Sequence, residues 1–234
     1  MQVKDVIVPP MIMVSIDKPT GITSQAVVGR VRQITGVKKV GHAGTLDPLA
    51  TGVLVVAIGR EATKRINIEV QKDKTYWAEI CLNGTSDTDD IEGKITPVVV
   101  GKIPSREEIT SALNHFLGEI KQRPPNYSSI KIRGMRAYRR ARAGEKFDLG
   151  VRNVRIDKIK FGKYVWPKLT LKINCGPGVY IRALARDIGM ELGVGGYIVN
   201  LRRMQVGEWT LDRSIPLLDF PAWWSKQLGV EKTG

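Results

Sequence analysis

Residues 41–59 read GHAGTLDPLATGVLVVAIG. As far as Gly52 the stretch is rich in glycine and places Asp47 before Pro48; from Val53 to Ile58 it is a short, continuous apolar run rich in branched side chains. Such a run predicts a strand buried on both faces. The loop therefore sits at a sheet edge and feeds straight into the core. An Asp before Pro is by itself a turn former, its side chain bonding to nearby amides, so the local reading leaves Asp47 open between a turn residue and a reacting carboxylate.

Upstream, Met11 to Ile16 is apolar and partly β-branched, and Lys18-Pro19-Thr20-Gly21 breaks it, which predicts a first strand ending in a turn. A helix follows, capped by Ser24, with Val27, Val28, Val31 and Ile34 on one face and Gly36 at its end. Downstream, Thr75 to Leu82 is a strand closed by the turn Asn83-Gly84. The acidic stretch Asp87, Asp89, Asp90, Glu92 lacks the ligand and glycine positions of a calcium loop and is expected as a solvated loop.

Ser105 to Leu117 predicts a helix with a Ser105/Glu108 capping box, an apolar stripe at Ile109, Leu113, Phe116 and Leu117, and Gly118 as terminator. Alternating runs from Val154 to Cys175 across Trp166-Pro167 predict a hairpin, and Val179 to Leu192 an amphipathic helix. No internal repeat and no regular βαβ alternation appear. The expected fold class is α+β, with a mixed, largely antiparallel central sheet flanked by helices.

Composition narrows the function classes. The 234 residues carry 37 Lys plus Arg against 23 Asp plus Glu, a net charge of +14, which fits either a polyanionic partner or a basic surface kept for solubility. Cys81, Cys175, His42 and His115 show no zinc-site spacing, so no metal is expected. The isolated GxG at Gly176 and Gly178 is no dinucleotide fingerprint, and no Walker A sequence occurs. No apolar run approaches a membrane span or a signal-peptide core, which leads to the expectation of a cytoplasmic protein in a reducing compartment.

Between Lys121 and Arg152 ten Lys or Arg residues face only Glu145 and Asp148, and Tyr127 and Tyr138 are interleaved with them. Cations with aromatic side chains suit phosphates and unstacked bases. A solvated, self-repelling loop has the same composition.

GHAGTLDPLATG closely resembles the catalytic motif of the tRNA pseudouridine-55 synthase (TruB) family. The resemblance continues in the family's order through KPTGITS (18–24), KTYWAEI around Tyr76, TSDTDDIEG (85–93), QRPPNYSSIKIRGMRAYRRARAG (122–144), GPGVYIRALARDIG (176–189) and NLRRMQVG (200–207). Asn83 stands where the family often has glycine. The resemblance implies a pseudouridine synthase domain over residues 11–214, with 121–152 as a basic RNA-clamping insertion that orders on binding. Residues 215–234 are left as a short tail, and the family's further C-terminal RNA-binding domain is expected to be missing.

The same resemblance implies the chemistry. Asp47 is the essential carboxylate, attacking ribose or base or removing the C2' proton. Arg182 is its partner, keeping a buried Asp ionised. Tyr76 stacks on the target base, Tyr180 and Leu201 wall the pocket, and His42 enters the T loop. Lys18, Lys131 and Arg142 complete the substrate-binding set. The target nucleotide must be flipped, because C5 and C1' cannot be reached in a stacked loop. The implied partner is the T arm of tRNA, acted on by a monomer with no cofactor and no protein partner. The alternatives are a guide-RNA-dependent rRNA-modifying relative and an RNA chaperone that refolds the T arm.

Overall fold

The structure, a computed structural model, describes residues 12–132 and 134–229. The chain runs β1 (Ile12–Lys18), α1 (Ser24–Thr35), β2 (Val40–Ala43), β3 (Thr51–Ile58), α2 (Arg60–Lys64), α3 (Ile66–Val70) and β4 (Lys74–Cys81). It continues through β5 (Gly84–Ser86), β6 (Ile95–Pro97), α4 (Arg106–Asn114), β7 (Gly118–Gln122), β8 (Lys131–Ile132), β9 (Met135–Arg136) and α5 (Ala137–Arg142). The remainder is β10 (Arg152–Val165), β11 (Lys168–Cys175), α6 (Ile181–Glu191), β12 (Tyr197–Val206), β13 (Trp209–Thr210), β14 (Ile215–Pro216) and α7 (Phe220–Gln227). Met11, the expected start of the first strand and of the domain, lies outside the described residues.

Two compact units emerge: one made of residues up to Lys72 and from Arg202 onward, the other of Asp73 to Leu201. In the first, β3 is the central strand, and every side chain from Val53 to Ile58 is buried, as the unbroken apolar run predicts. Burying each branched side chain there contributes roughly 1.5–3 kcal/mol. β1 runs antiparallel to one edge of β3, from Ile12 opposite Ile58 to Lys18 opposite Gly52. The other edge is shared, with β2 antiparallel along Val55–Ile58 and β12 parallel at Thr51 and Gly52. Gly52 (φ 99°) is required at this junction, since a Cβ there would lie 2.2 Å from the Arg203 carbonyl oxygen.

α1 packs on β2 and α7. Its cap is Thr23 and not the expected Ser24, because the Thr23 hydroxyl takes the Ala26 amide while the Ser24 side chain is engaged elsewhere. Residues 215–229, read from sequence as tail, pair β14 with β1 and place Phe220 and Trp224 of α7 in the core.

The second unit is built on an antiparallel sheet in the order β4-β11-β10-β7, whose long hairpin β10–β11 is the expected one. α4 carries the expected capping box but ends at Asn114, short of Leu117, and Gly118 (φ 82°) then enters β7. α6 begins at Ile181, because Tyr180 is extended and serves as its cap residue. The basic segment forms the small β8–β9 hairpin and α5. Parallel pairs beside antiparallel ones make the sheet architecture mixed, and with the helices it is the expected α+β class.

Candidate active site

The loop 44–50 connects β2 to β3 in the first unit, and its backbone is held on both sides of Asp47. Ser24 Oγ donates to Leu46 O (2.9 Å) and accepts from Leu46 N (2.8 Å). On the other side, Gly21 N donates to Pro48 O (2.8 Å), Lys18 Nζ to the same oxygen (3.3 Å), and Thr20 Oγ1 to Leu49 O (3.1 Å). Within the loop Ala50 N donates to Asp47 O (3.1 Å). KPTGITS thus forms a cradle for GTLDPLA. Asp47 itself is half-buried. A carboxylate on a backbone fixed at both neighbours needs little reorganisation when it reacts.

Lys18, expected in the substrate-binding set, is buried against the backbone of the loop. It is 0% exposed, and its ammonium also donates to Pro19 O (2.8 Å) and Ile22 O (2.7 Å). These bonds tie the turn 19–22 to the loop. His42 lies in β2 opposite Val56, two residues before the loop, and is half-buried. Arg203, which the sequence reading did not single out, is 1% exposed and donates Nε to Val53 O (2.7 Å) and Nη2 to Gly44 O (3.0 Å). It fastens the entry of the loop and the strand that follows.

Tyr76, Tyr180, Arg182, Leu201, Lys131 and Arg142 belong to the second unit. Tyr76 sits in β4 opposite Ile173, and Leu201 in β12; both are buried. The Gln122 side-chain amide pairs with the Tyr180 backbone as a strand would, accepting from its N–H (2.8 Å) and donating to its carbonyl (3.1 Å). That pair fixes the entry of α6, and with it Arg182. Lys131 and Arg142 are exposed, and the Arg142 guanidinium lies 5.7 Å from the centre of the Tyr138 ring.

Arg182 is 4% exposed. It donates Nη1 to Thr88 O (2.6 Å) and Nη2 to Tyr127 O (2.9 Å), and Nη1 lies 3.3 Å from Asp90 Oδ2. The other Asp90 oxygen accepts from the Thr88 hydroxyl (2.6 Å) and the Glu92 amide (3.0 Å). The acidic stretch is therefore not the solvated loop expected, since Asp89 and Asp90 are buried among arginines. Burial pushes the Asp89 carboxyl up to about 6, against the opposing pull of Arg186 and Arg182. A signal for this existed in the sequence: two neighbouring aspartates, and two arginines four apart on a later helix.

The described residues contain no grouping of three or more His, Cys, Asp or Glu placed to hold a metal ion, and no helix long and apolar enough to cross a membrane.

Residues 32–181 match the family described as TruB family pseudouridylate synthase (N terminal domain), and residues 182–232 match the one described as tRNA pseudouridylate synthase B C-terminal domain. The chain is 46% identical over 211 residues to tRNA pseudouridine synthase B of Mycobacterium sp. (strain KMS), covering 88% of this chain and 70% of that one. To the protein of the same name from Prochlorococcus marinus it is 43% identical over 210 residues, covering 89% and 66%. Among solved structures it resembles a chain of a Cbf5-Nop10-Gar1 complex (TM-score 0.70, 29% identity, 94% of this chain and 57% of that one). It also resembles a chain of an H/ACA RNP bound to a substrate RNA containing 2'-deoxyuridine (TM-score 0.69, 27% identity, 94% and 56%). The chain thus spans little more than half the length of those solved chains.

Proposed function

Because this chain belongs to the TruB family of pseudouridylate synthases, we propose that it isomerises a uridine of tRNA to pseudouridine at the T-loop position conventionally numbered 55, with Asp47 as the reacting carboxylate. The N1–C1' bond breaks, the uracil turns, a C5–C1' bond forms, and the C5 proton leaves while N1 gains one. Atoms and electrons balance without an oxidant, reductant or cofactor. Supporting the reading most directly is the cradle on both sides of Asp47, in which Ser24 holds Leu46 while Gly21 and Lys18 hold Pro48.

The remaining roles are part of the same proposal. Asp47 attacks ribose or base or takes the C2' proton, and Arg182 serves the same reaction. Tyr76 stacks on the flipped base and helps remove the C5 proton; Tyr180 and Leu201 supply dry walls that hold the detached uracil near the sugar. His42 fills space left in the T loop. Lys131 and Arg142, both exposed, meet phosphates. The enzyme acts as a monomer in the cytoplasm.

The likeness to H/ACA particle chains favours one second reading, modification of rRNA under a guide RNA. The 43–46% identity to proteins named tRNA pseudouridine synthase B, against 27–29% to those chains, weighs for the tRNA reading. Pseudouridine mapping of tRNA and rRNA after incubation with the protein alone tests it. Modification of the tRNA T loop by wild type and its loss in Asp47→Asn are expected; activity confined to rRNA with added guide RNA would overturn it.

A further inference from the structure

Arg182 and Arg186 stand four residues apart on α6, a spacing that puts them one above the other on one face. Their guanidiniums bridge the same two stretches of chain in the same sense. Arg182 reaches Thr88 and Asp90 with Nη1 and the Tyr127 carbonyl with Nη2. Arg186 donates Nη1 to Asp89 Oδ2 (2.8 Å) and Nη2 to Arg123 O (2.8 Å). Each arginine therefore has one nitrogen on the turn 88–90 and another on a carbonyl within 123–127. A planar fork with fixed donor directions can hold two such partners at once, which a lysine ammonium cannot do in the same geometry.

The surroundings of Arg186 fit this bridging. Its Nε donates to Asp187 Oδ1 (2.9 Å), which sets the plane of the guanidinium. Asp89 has φ 61°, a left-handed backbone that a non-glycine residue keeps only when held. Its carbonyl accepts from Ile198 N (3.1 Å), and Ile91 N donates to Ile198 O (2.8 Å), so β12 holds the backbone of the turn while Arg186 holds its side chain. Arg123, whose carbonyl Arg186 grips, donates through its own side chain to Asp148 (2.6 Å) near the far end of the basic segment.

We propose that Arg186 is a positioning residue for the reaction. By joining Asp89 to the Arg123 carbonyl, it keeps the turn 88–90 and the root of the basic segment in the register in which Thr88, Asp90 and Tyr127 hold Arg182. The placement of Arg182 and the seating of the basic segment are thereby coupled through one helix face. The proposal rests on the reading that Arg182 serves the reaction.

The test uses the full chain with Arg186→Gln, Arg186→Lys and Asp89→Asn, one tRNA transcript, and trypsin, which cuts at the many Lys and Arg residues of segment 131–146. For Arg186→Gln the single-turnover rate at saturating tRNA should fall about tenfold or more while Kd changes less than about threefold, a loss in chemistry and not in binding. Trypsin should also cut the segment faster. Arg186→Lys should recover only a minor part of the rate, and Asp89→Asn should fall in the same direction. Wild-type turnover by Arg186→Gln, or a rate loss matched by an equal loss of binding with unchanged cleavage, would overturn the proposal. Should Arg186→Gln not fold, unchanged rate and unchanged cleavage in Asp89→Asn overturn it instead. A wild-type protein without activity would overturn the functional reading, whereas the cleavage rates would still decide whether Arg186 seats the segment.

Discussion

The buried hydroxyl of Ser24 holds both backbone polar groups of Leu46, donating to its carbonyl and accepting from its amide. Deleting it leaves two buried groups unpaired, each at a cost of about 1–3 kcal/mol, and frees the residue beside Asp47. Ser24→Ala should therefore slow single-turnover pseudouridine formation by about tenfold to a hundredfold, the scale of loss for a displaced reacting group. Binding measured on the same tRNA should change little. A variant that loses affinity and keeps its rate at saturation would place Ser24 at the substrate instead.

Asp47→Ala or Asp47→Asn should abolish detectable product while tRNA binding stays within about tenfold, or about 1.4 kcal/mol. Nucleoside analysis after prolonged incubation checks the first statement and filter binding the second.

Removing charge from Lys131, Arg139 and Arg142, all exposed on the basic segment, should weaken tRNA binding and flatten its salt dependence. The slope of log K against log salt should fall by about 0.7 to 0.9 for each phosphate that is no longer neutralised. Asp47→Asn should leave that slope where it was. Binding isotherms at several salt concentrations distinguish phosphate neutralisation from a merely solvated loop.

Asp89 gives a pH dependence of stability with a definite sign. Its folded carboxyl is raised from 3.8 to about 6 by burial, against Arg186 and Arg182 and with Asp187 and Asp90 adding to the rise. The folded state thus holds the proton more tightly than the unfolded chain does, so this group's contribution is fully present below about 3.8 and is lost as pH rises through about 6. Asp89→Asn should remove that component. The difference in unfolding free energy between variant and wild type should shift in the variant's favour from pH 4 to pH 7, by up to about 3 kcal/mol. A difference independent of pH across this window would show that Asp89 titrates as an ordinary carboxylate.

What the sequence made legible was whatever rests on neighbours in the chain. The capping box of α4, the alternation of β10 and β11 and the apolar run of β3 carry their structure in their own spacing. Ser24 has the composition of a cap, but its partner is residue 46, which no helix rule consults. Asp89 and Asp90 read as solvated because the arginines that take them indoors come more than ninety residues later. β12 escaped notice for the same reason: Arg202, Arg203 and Gln205 interrupt its apolar pattern, and Arg203 is buried only because β3 offers it carbonyls. Among the site residues the motifs supplied the identities, whereas the contacts of Gln122, Asp90 and Arg203, all within the quoted motifs, came from geometry.

Arg203 also sets an order of events during synthesis. Lys18, Thr20, Gly21 and Ser24 can close on the Asp47 loop once about fifty residues have left the ribosome, but the carbonyls of Gly44 and Val53 meet their guanidinium 159 and 150 residues later. A nascent chain that stops short of residue 203 has the cradle and not the latch. The chain must be made through residue 203 before the loop bearing Asp47 is finished, so a fragment released earlier would carry every residue of the Asp47 motif without its final geometry.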